Sequence, residues 1–176
     1  VIRSKGRSLE ITESRLWELG YGSDGIHLLF NLWYRDFNYS PAFDNNLPQV
    51  DHIFPKSVLA TVKDLNTATG RRNIQRYRQP VRDQLANCML LTKEENGAGG
   101  KWATLAEDWF KDKPKAYLDM HLIPQDPELW KLDRFEDFIE ARKALIKAKF
   151  KDLLVAPASV PQAVAAVDQP ASPKSS

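Results

Sequence analysis

The sequence predicts an α+β fold: a mainly helical domain built around a small two-stranded ribbon. Three observations carry that prediction. Short apolar strand signals at residues 49–53 and 87–91 are each bounded by turn or breaker residues. From Trp102 onward, apolar residues recur at helical spacing. The length, 176 residues, suits one domain plus a tail.

The elements follow in order. Residues 1–8 are basic and aperiodic, and 1–14 read as a linker remnant or frayed end. Thr12 can cap a short helix carrying Leu16, Trp17 and Leu19, which Gly20 would stop. A second helix, about 24–34, is apolar around most of its circumference and should be a central core helix, with His27 and Asn31 as buried hydrogen-bonding residues. Residues 35–48 are rich in turn formers and read as a loop. After the first strand, Pro55 ends the extended run and residues 56–62 fit one or two helical turns. Residues 63–82 read as an irregular, arginine-rich insertion, and 96–100 as a glycine loop.

Trp102, Leu105, Ala106 and Trp109 form a helical stripe, and Tyr117 and Met120 mark a further short helix. Asp133 with Glu136 resembles a capping box for a last helix reaching about residue 154. Its apolar face holds Phe135, Phe138, Ile139 and Ile146, and its late basic run reads as a solvated face that suits the helix dipole. Residues 155–176, with four of the eleven prolines, read as a disordered tail, so the domain spans 15–154.

The composition, 43% hydrophobic and 27% charged, excludes a collagen or a wholly disordered chain. The longest apolar run is far below the roughly 18 residues of a spanning helix, so no membrane partner is expected. Cys88 is the single cysteine, which excludes an intrachain disulfide and a multi-cysteine structural zinc site. It reads as a small buried hydrophobe in a cytoplasmic protein. Val1 in place of an initiator Met points to a piece of a longer protein. Between Phe54 and Lys101, nine basic residues oppose four acidic ones, a net +5 in a chain of net +2. Such a basic centre is a phosphate-binding footprint.

The stretch Val50-Asp51-His52-Ile53-Phe54-Pro55, with Asn87 and Asn96 downstream, is where chemistry concentrates. Phosphodiester hydrolysis needs a base, a cation at the phosphate and a group that fixes the base. His52 can be the base, because imidazole is mostly neutral at pH 7. Asp51 and Asn96 offer hard oxygens of the kind Mg²⁺ takes alongside waters and substrate phosphate. The Asn87 amide can brace the loop carrying His52. Neighbours on an ideal strand face opposite ways, so the strand should end or bulge at Asp51–His52.

The pattern DHIFP, then N-x-x-LL, then a second Asn nine residues on, resembles the HNH (His-Me finger, ββα-metal) nucleases, including the HNH domains of CRISPR effectors. The stretch from His121 to Ile146 is similar to the helical C-terminal part of the GmrSD-type nuclease domain. That resemblance covers roughly residues 15–154. It implies a ββα-metal finger packed among helices, with the finger's helix after Asn96. It also implies a metal-dependent DNA endonuclease domain, nicking or cleaving, from a bacterial restriction or anti-phage protein.

The implied roles are His52 as general base, Asp51 and Asn96 as ligands of one Mg²⁺ (or Mn²⁺), and Asn87 as the brace. The implied partners are double-stranded DNA, with modified phage DNA as one form of it, and an N-terminal ParB/sulfiredoxin-like NTPase domain of the same longer chain. Asn96 stands where the family's name-giving His would be, a change the CRISPR-type domains share. The family's zinc-stabilising cysteine pairs are absent here. His121 reads as structural.

Arg71, Arg72, Arg76, Arg78 and Arg82, and Lys101 after the glycine loop, are candidate DNA-phosphate contacts, with a solvated loop as the plain alternative. Two other readings of the whole chain are a catalytically silent DNA-binding module and a helical protein-interaction scaffold.

Overall fold

A computed structural model describes residues 11–35, 48–97 and 100–155. The expectations for residues 1–8, for the loop at 36–47, for residues 98–99 of the glycine loop and for the tail from 156 onward lie outside the described residues. The elements run β1 (Ile11–Thr12), α1 (Glu13–Glu18), α2 (Ile26–Trp33), β2 (Gln49–His52), α3 (Lys56–Thr61), β3 (Lys63–Asn66), β4 (Arg71–Gln75) and α4 (Gln79–Arg82). They continue through β5 (Cys88–Leu91), α5 (Lys93–Asn96), α6 (Ala106–Phe110), α7 (Lys115–Met120), α8 (Phe135–Phe150) and β6 (Leu154–Val155). The fold is α+β. Among the described residues no helix is long and apolar enough to cross a membrane.

Three two-stranded sheets are present among these residues. β2 and β5 pair antiparallel in straight register, from Gln49 opposite Leu91 to His52 opposite Cys88. β3 and β4 form an antiparallel hairpin, and β1 pairs parallel with β6. Residues 11–14, assigned above to a linker, are therefore part of the fold: Ile11 and Thr12 pair with Leu154 and Val155. The Thr12 hydroxyl accepts from the Arg15 N–H at 3.3 Å and caps α1 as the sequence predicts.

β5 is the centre of the core, with all four residues buried. α8 lies across the ribbon and supplies Phe135 and Phe138, whose rings meet Phe54 edge-on at 5.2 and 5.0 Å. Each such pair contributes about 0.5–1.5 kcal/mol beyond area burial, so the residue two past His52 is firmly anchored.

Arg142 is fully buried on the same helix. Its guanidinium donates to the carbonyls of Leu122, Ala86, Cys88 and His121 at 2.8–3.2 Å. The basic late run of α8 is thus not wholly a solvated face. His121 is buried as a structural residue, with Nδ1 2.9 Å from the Tyr34 hydroxyl. Burial, aided by the positive charges of Arg142 and Lys113, pushes its pKa down to about 3.

Further expectations are corrected. Residues 63–82 are a hairpin followed by α4, closed by a turn in which Gly70 has φ +68° and its N–H bonds the Asn66 carbonyl. Tyr77, which lies among the arginines of this stretch in the sequence, is buried against Phe135 rather than facing outward with them. α2 buries only one face, leaving His27, Leu28, Asn31 and Leu32 exposed. Trp102 does not begin a helix: it is 69% exposed with φ +28°, and α6 starts at Ala106. Asp133 does not cap α8, which starts at Phe135 after a short 3₁₀ turn at Leu132–Arg134.

Candidate active site

β2 ends at His52, and Ile53 and Phe54 leave it tied to Asn87. The Asn87 side chain accepts from the Phe54 N–H at 2.9 Å and donates to the Phe54 and Arg82 carbonyls at 3.1 and 2.8 Å. Its backbone carbonyl also accepts from the Ile53 N–H at 2.8 Å. A buried amide with every such bond made fixes the chain on both sides of it.

His52 is 5% exposed, and its Nε2 lies 2.9 Å from Asp83 Oδ1. A carboxylate there accepts from Nε2–H, which leaves the lone pair on Nδ1. Burial pushes the His52 pKa down, against the hydrogen bond and charge of Asp83 and the charge of Asp51. The imidazole is therefore neutral at pH 7.

The Tyr21 ring stacks on the imidazole at 4.3 Å between centroids. Tyr21 and Asp83 are held together by the backbone: the Tyr21 N–H donates to the Asp83 carbonyl at 2.7 Å, and Gly20 bridges Gln84. A Cβ at Gly20 would sit 2.3 Å from the Asp83 oxygen, so this close approach requires glycine.

Asp51 precedes His52 on an unbulged strand, and its side chain meets a different partner. The Lys101 ammonium lies 3.2 Å from Asp51 Oδ2 and donates to the His52 carbonyl. Lys101 is 0% exposed, which corrects its reading as a phosphate contact on the surface. Burial lowers its pKa while Asp51 raises it. Asp51 Oδ2 is buried and receives no hydrogen bond of good geometry.

Asn96 is the last residue of α5, so the short helix beside the ribbon precedes Asn96 rather than following it. Its Nδ2 donates to Gln49 Oε1 at 2.8 Å. Asn96 and Gln49 line a cleft of about 390 Å³ together with Tyr21, Gly22 and His27. Gln49 and Asp51 are two apart on β2 and share a face.

The family of GmrSD restriction endonucleases, C-terminal domain, matches residues 8–149. The chain belongs to this family. Its membership in the GmrSD C-terminal domains makes it a domain of restriction-endonuclease type. No curated protein and no solved structure matches it.

Within this GmrSD C-terminal domain, the folding brings His52, Asn87 and Asp51 to one end of the β2–β5 ribbon, with Asn96 at the far end of β2. The arginines are dispersed. Arg71, Arg72 and Arg78 are exposed, Arg82 is half-buried, and Arg76 is held by Glu136 at 3.1 Å. Sequence reasoning missed Asp83 and Tyr21. Asp83 is 31 residues from His52 and no local spacing links them. The only written trace of Tyr21's role is its place between Gly20 and Gly22.

Proposed function

We propose that this domain is a metal-dependent DNA endonuclease of the HNH type, acting within a larger restriction or anti-phage protein in the cytoplasm. The observation that carries the reading is the His52–Asp83 pair at 2.9 Å, with the half-buried Asp51 carboxylate on the preceding residue. On this reading the β2–β5 ribbon and α5 form the ββα-metal finger.

His52 takes a proton from water at Nδ1, while Asp83 holds the Nε2–H tautomer and stabilises the imidazolium that forms. Tyr21 keeps one face of the ring dry, and Asn87 keeps His52 and Phe54 in place. The donor set fits a hard divalent cation. Asp51 Oδ2 is a buried oxygen with no hydrogen bond of good geometry, and its close partner is the Lys101 ammonium at 3.2 Å, so it already faces a cation. Asn96 spends its nitrogen on Gln49, so its amide oxygen is the atom it would offer a metal. Among the described residues no three of His, Cys, Asp and Glu converge, so Asp51, Asn96, water and substrate phosphate would hold the ion, as is usual for Mg²⁺. When bound, Mg²⁺ or Mn²⁺ would neutralise the phosphate and the departing oxygen.

Arg71, Arg72, Arg78 and Arg82 grip the DNA backbone on this reading. The partners are double-stranded DNA, modified or not, and an N-terminal ParB/sulfiredoxin-like domain of the longer chain. Plasmid nicking tests it. Wild type should cut with Mg²⁺ or Mn²⁺ and stop with chelator, and His52→Ala should bind DNA without cutting. Equal cutting by the mutant would remove His52 from the chemistry.

A further inference from the structure

A lysine with no solvent exposure is uncommon, because an ammonium is strongly hydrated and costly to bury. Lys101 is buried by construction. Gly100 packs on the end of α5, where a Cβ would sit 2.0 Å from the Glu95 carbonyl oxygen. The Lys101 N–H then bonds that same carbonyl at 2.6 Å, which turns the side chain inward. Its ammonium reaches the Asp51 carboxylate and the His52 carbonyl.

Among the described residues, Asp51 is the one carboxylate within ion-pair distance of it. The Asn96 amide is meanwhile bonded to Gln49 rather than directed at Asp51. Of the two candidate ligand residues, Asp51 is thus the one whose oxygen already faces a cation, the Lys101 ammonium.

We infer that Lys101 is a resident cation: its ammonium holds Asp51 when no metal is bound, and a divalent ion must displace it to coordinate that carboxylate. The inference rests on reading Asp51 as a ligand. Mg²⁺ needs an oxygen at about 2.0–2.1 Å, and an ammonium 3.2 Å from the same oxygen lies in its way. Lys101 therefore sets the metal affinity of the site, keeping it weak until DNA phosphate adds further oxygens and negative charge.

Calorimetry of Mn²⁺ binding to the full chain, without DNA, tests this. Lys101→Met and Lys101→Gln should each bind Mn²⁺ at least tenfold more tightly than wild type, and adding Asp51→Asn should abolish the gain. Melting should agree, with Mn²⁺ raising the Tm of the Lys101 variants more than that of wild type.

Equal or weaker Mn²⁺ binding in both Lys101 variants, with Asp51→Asn still abolishing it, overturns the inference and leaves the metal reading intact. Binding that survives Asp51→Asn overturns both. Absence of binding in every variant also overturns the inference, since removing the ammonium should expose the site. Variants that fold only with Mn²⁺ support it. Variants that fail to fold even with Mn²⁺ make Lys101 a structural residue and overturn it.

Discussion

Two cations, Arg142 and Lys101, are buried among the described residues, and they are held in opposite ways. Arg142 has no carboxylate among its hydrogen-bond partners, and four backbone carbonyls from two segments take up its guanidinium. Burial pushes its pKa down to about 10, which still leaves it charged at neutral pH. Lys101 has one carboxylate and one carbonyl. The planar guanidinium fork suits a fixed set of acceptors, whereas an ammonium is a point charge on a flexible stem. The first arrangement joins α8 to both sides of Asn87 and has nothing left to exchange. The second pairs with a carboxylate next to the candidate base in the chain and can be traded for another cation. A buried charge is thus structural or exchangeable according to what accepts it.

The most damaging way to break the comparison is Arg142→Met. Each carbonyl left unsatisfied costs about 1–3 kcal/mol, and some will find water, so a loss of about 3–5 kcal/mol is expected by urea denaturation. Arg142→Lys should recover only part, because an ammonium cannot reach all four acceptors. Lys101→Met should keep its far-UV circular dichroism when Mn²⁺ is present. Equal collapse of the Arg142 and Lys101 variants would dissolve the distinction.

On the exchangeable side, His52→Ala should lower the cleavage rate by about 10²–10⁴-fold, the usual worth of a positioned base. Asp83→Asn should lower it less and leave DNA affinity unchanged, as read in single-turnover assays. A slightly smaller effect is expected of Gly20→Ala. Its Cβ would meet the Asp83 carbonyl oxygen at 2.3 Å, and overpacking of this kind costs about 1–3 kcal/mol. The displaced Asp83 and Tyr21 should also slow cleavage.

On the Arg142 side, His121 gives a pH signature. Its folded pKa, about 3, lies below the ordinary 6.5. Above pH 6.5 neither state holds the proton. Between about 6.5 and 3 the unfolded chain binds it and the folded one does not, so stability falls as pH falls. The slope from this group reaches about 1.4 kcal/mol per pH unit. Urea midpoints from pH 7 to pH 4, measured in a His52→Ala background, should lose this slope when His121→Gln is added.

The smallest effect belongs to the exposed hairpin. Arg71→Gln with Arg72→Gln should flatten the slope of log K against log salt by up to about 2 with no change in Tm. Arg76→Gln should instead release Glu136 and leave the slope nearly unchanged.

What could be read along the chain depended on distance. The Thr12 cap, both ribbon strands and α3 rest on neighbouring residues, and they stand within a residue or two of where the sequence puts them. The β3–β4 hairpin was missed because its strands are polar and mostly exposed, although Asn66 and Gly70 did mark its turn. Arg142 had a readable signal: it lies on the stripe with Phe138, Ile139 and Ile146, and only its charge argued for solvent. Of the site, Asp51, His52 and Asn87 were legible as a motif. Asp83, Tyr21 and the inward Lys101 were not, because their contacts join segments 31 to 62 residues apart and depend on two glycines whose missing Cβ atoms matter only in three dimensions.

The two-residue pairing of β1 with β6 also determines how the domain meets a mechanical load. Because the strands run parallel, the chain enters the pair at one end and leaves it at the other. Pulling on the two ends therefore shears this pair first, and tension does not reach the β2–β5 ribbon until it yields. The pair works as a clasp, and a neighbouring machine could haul on the polypeptide without drawing His52 away from Asp83.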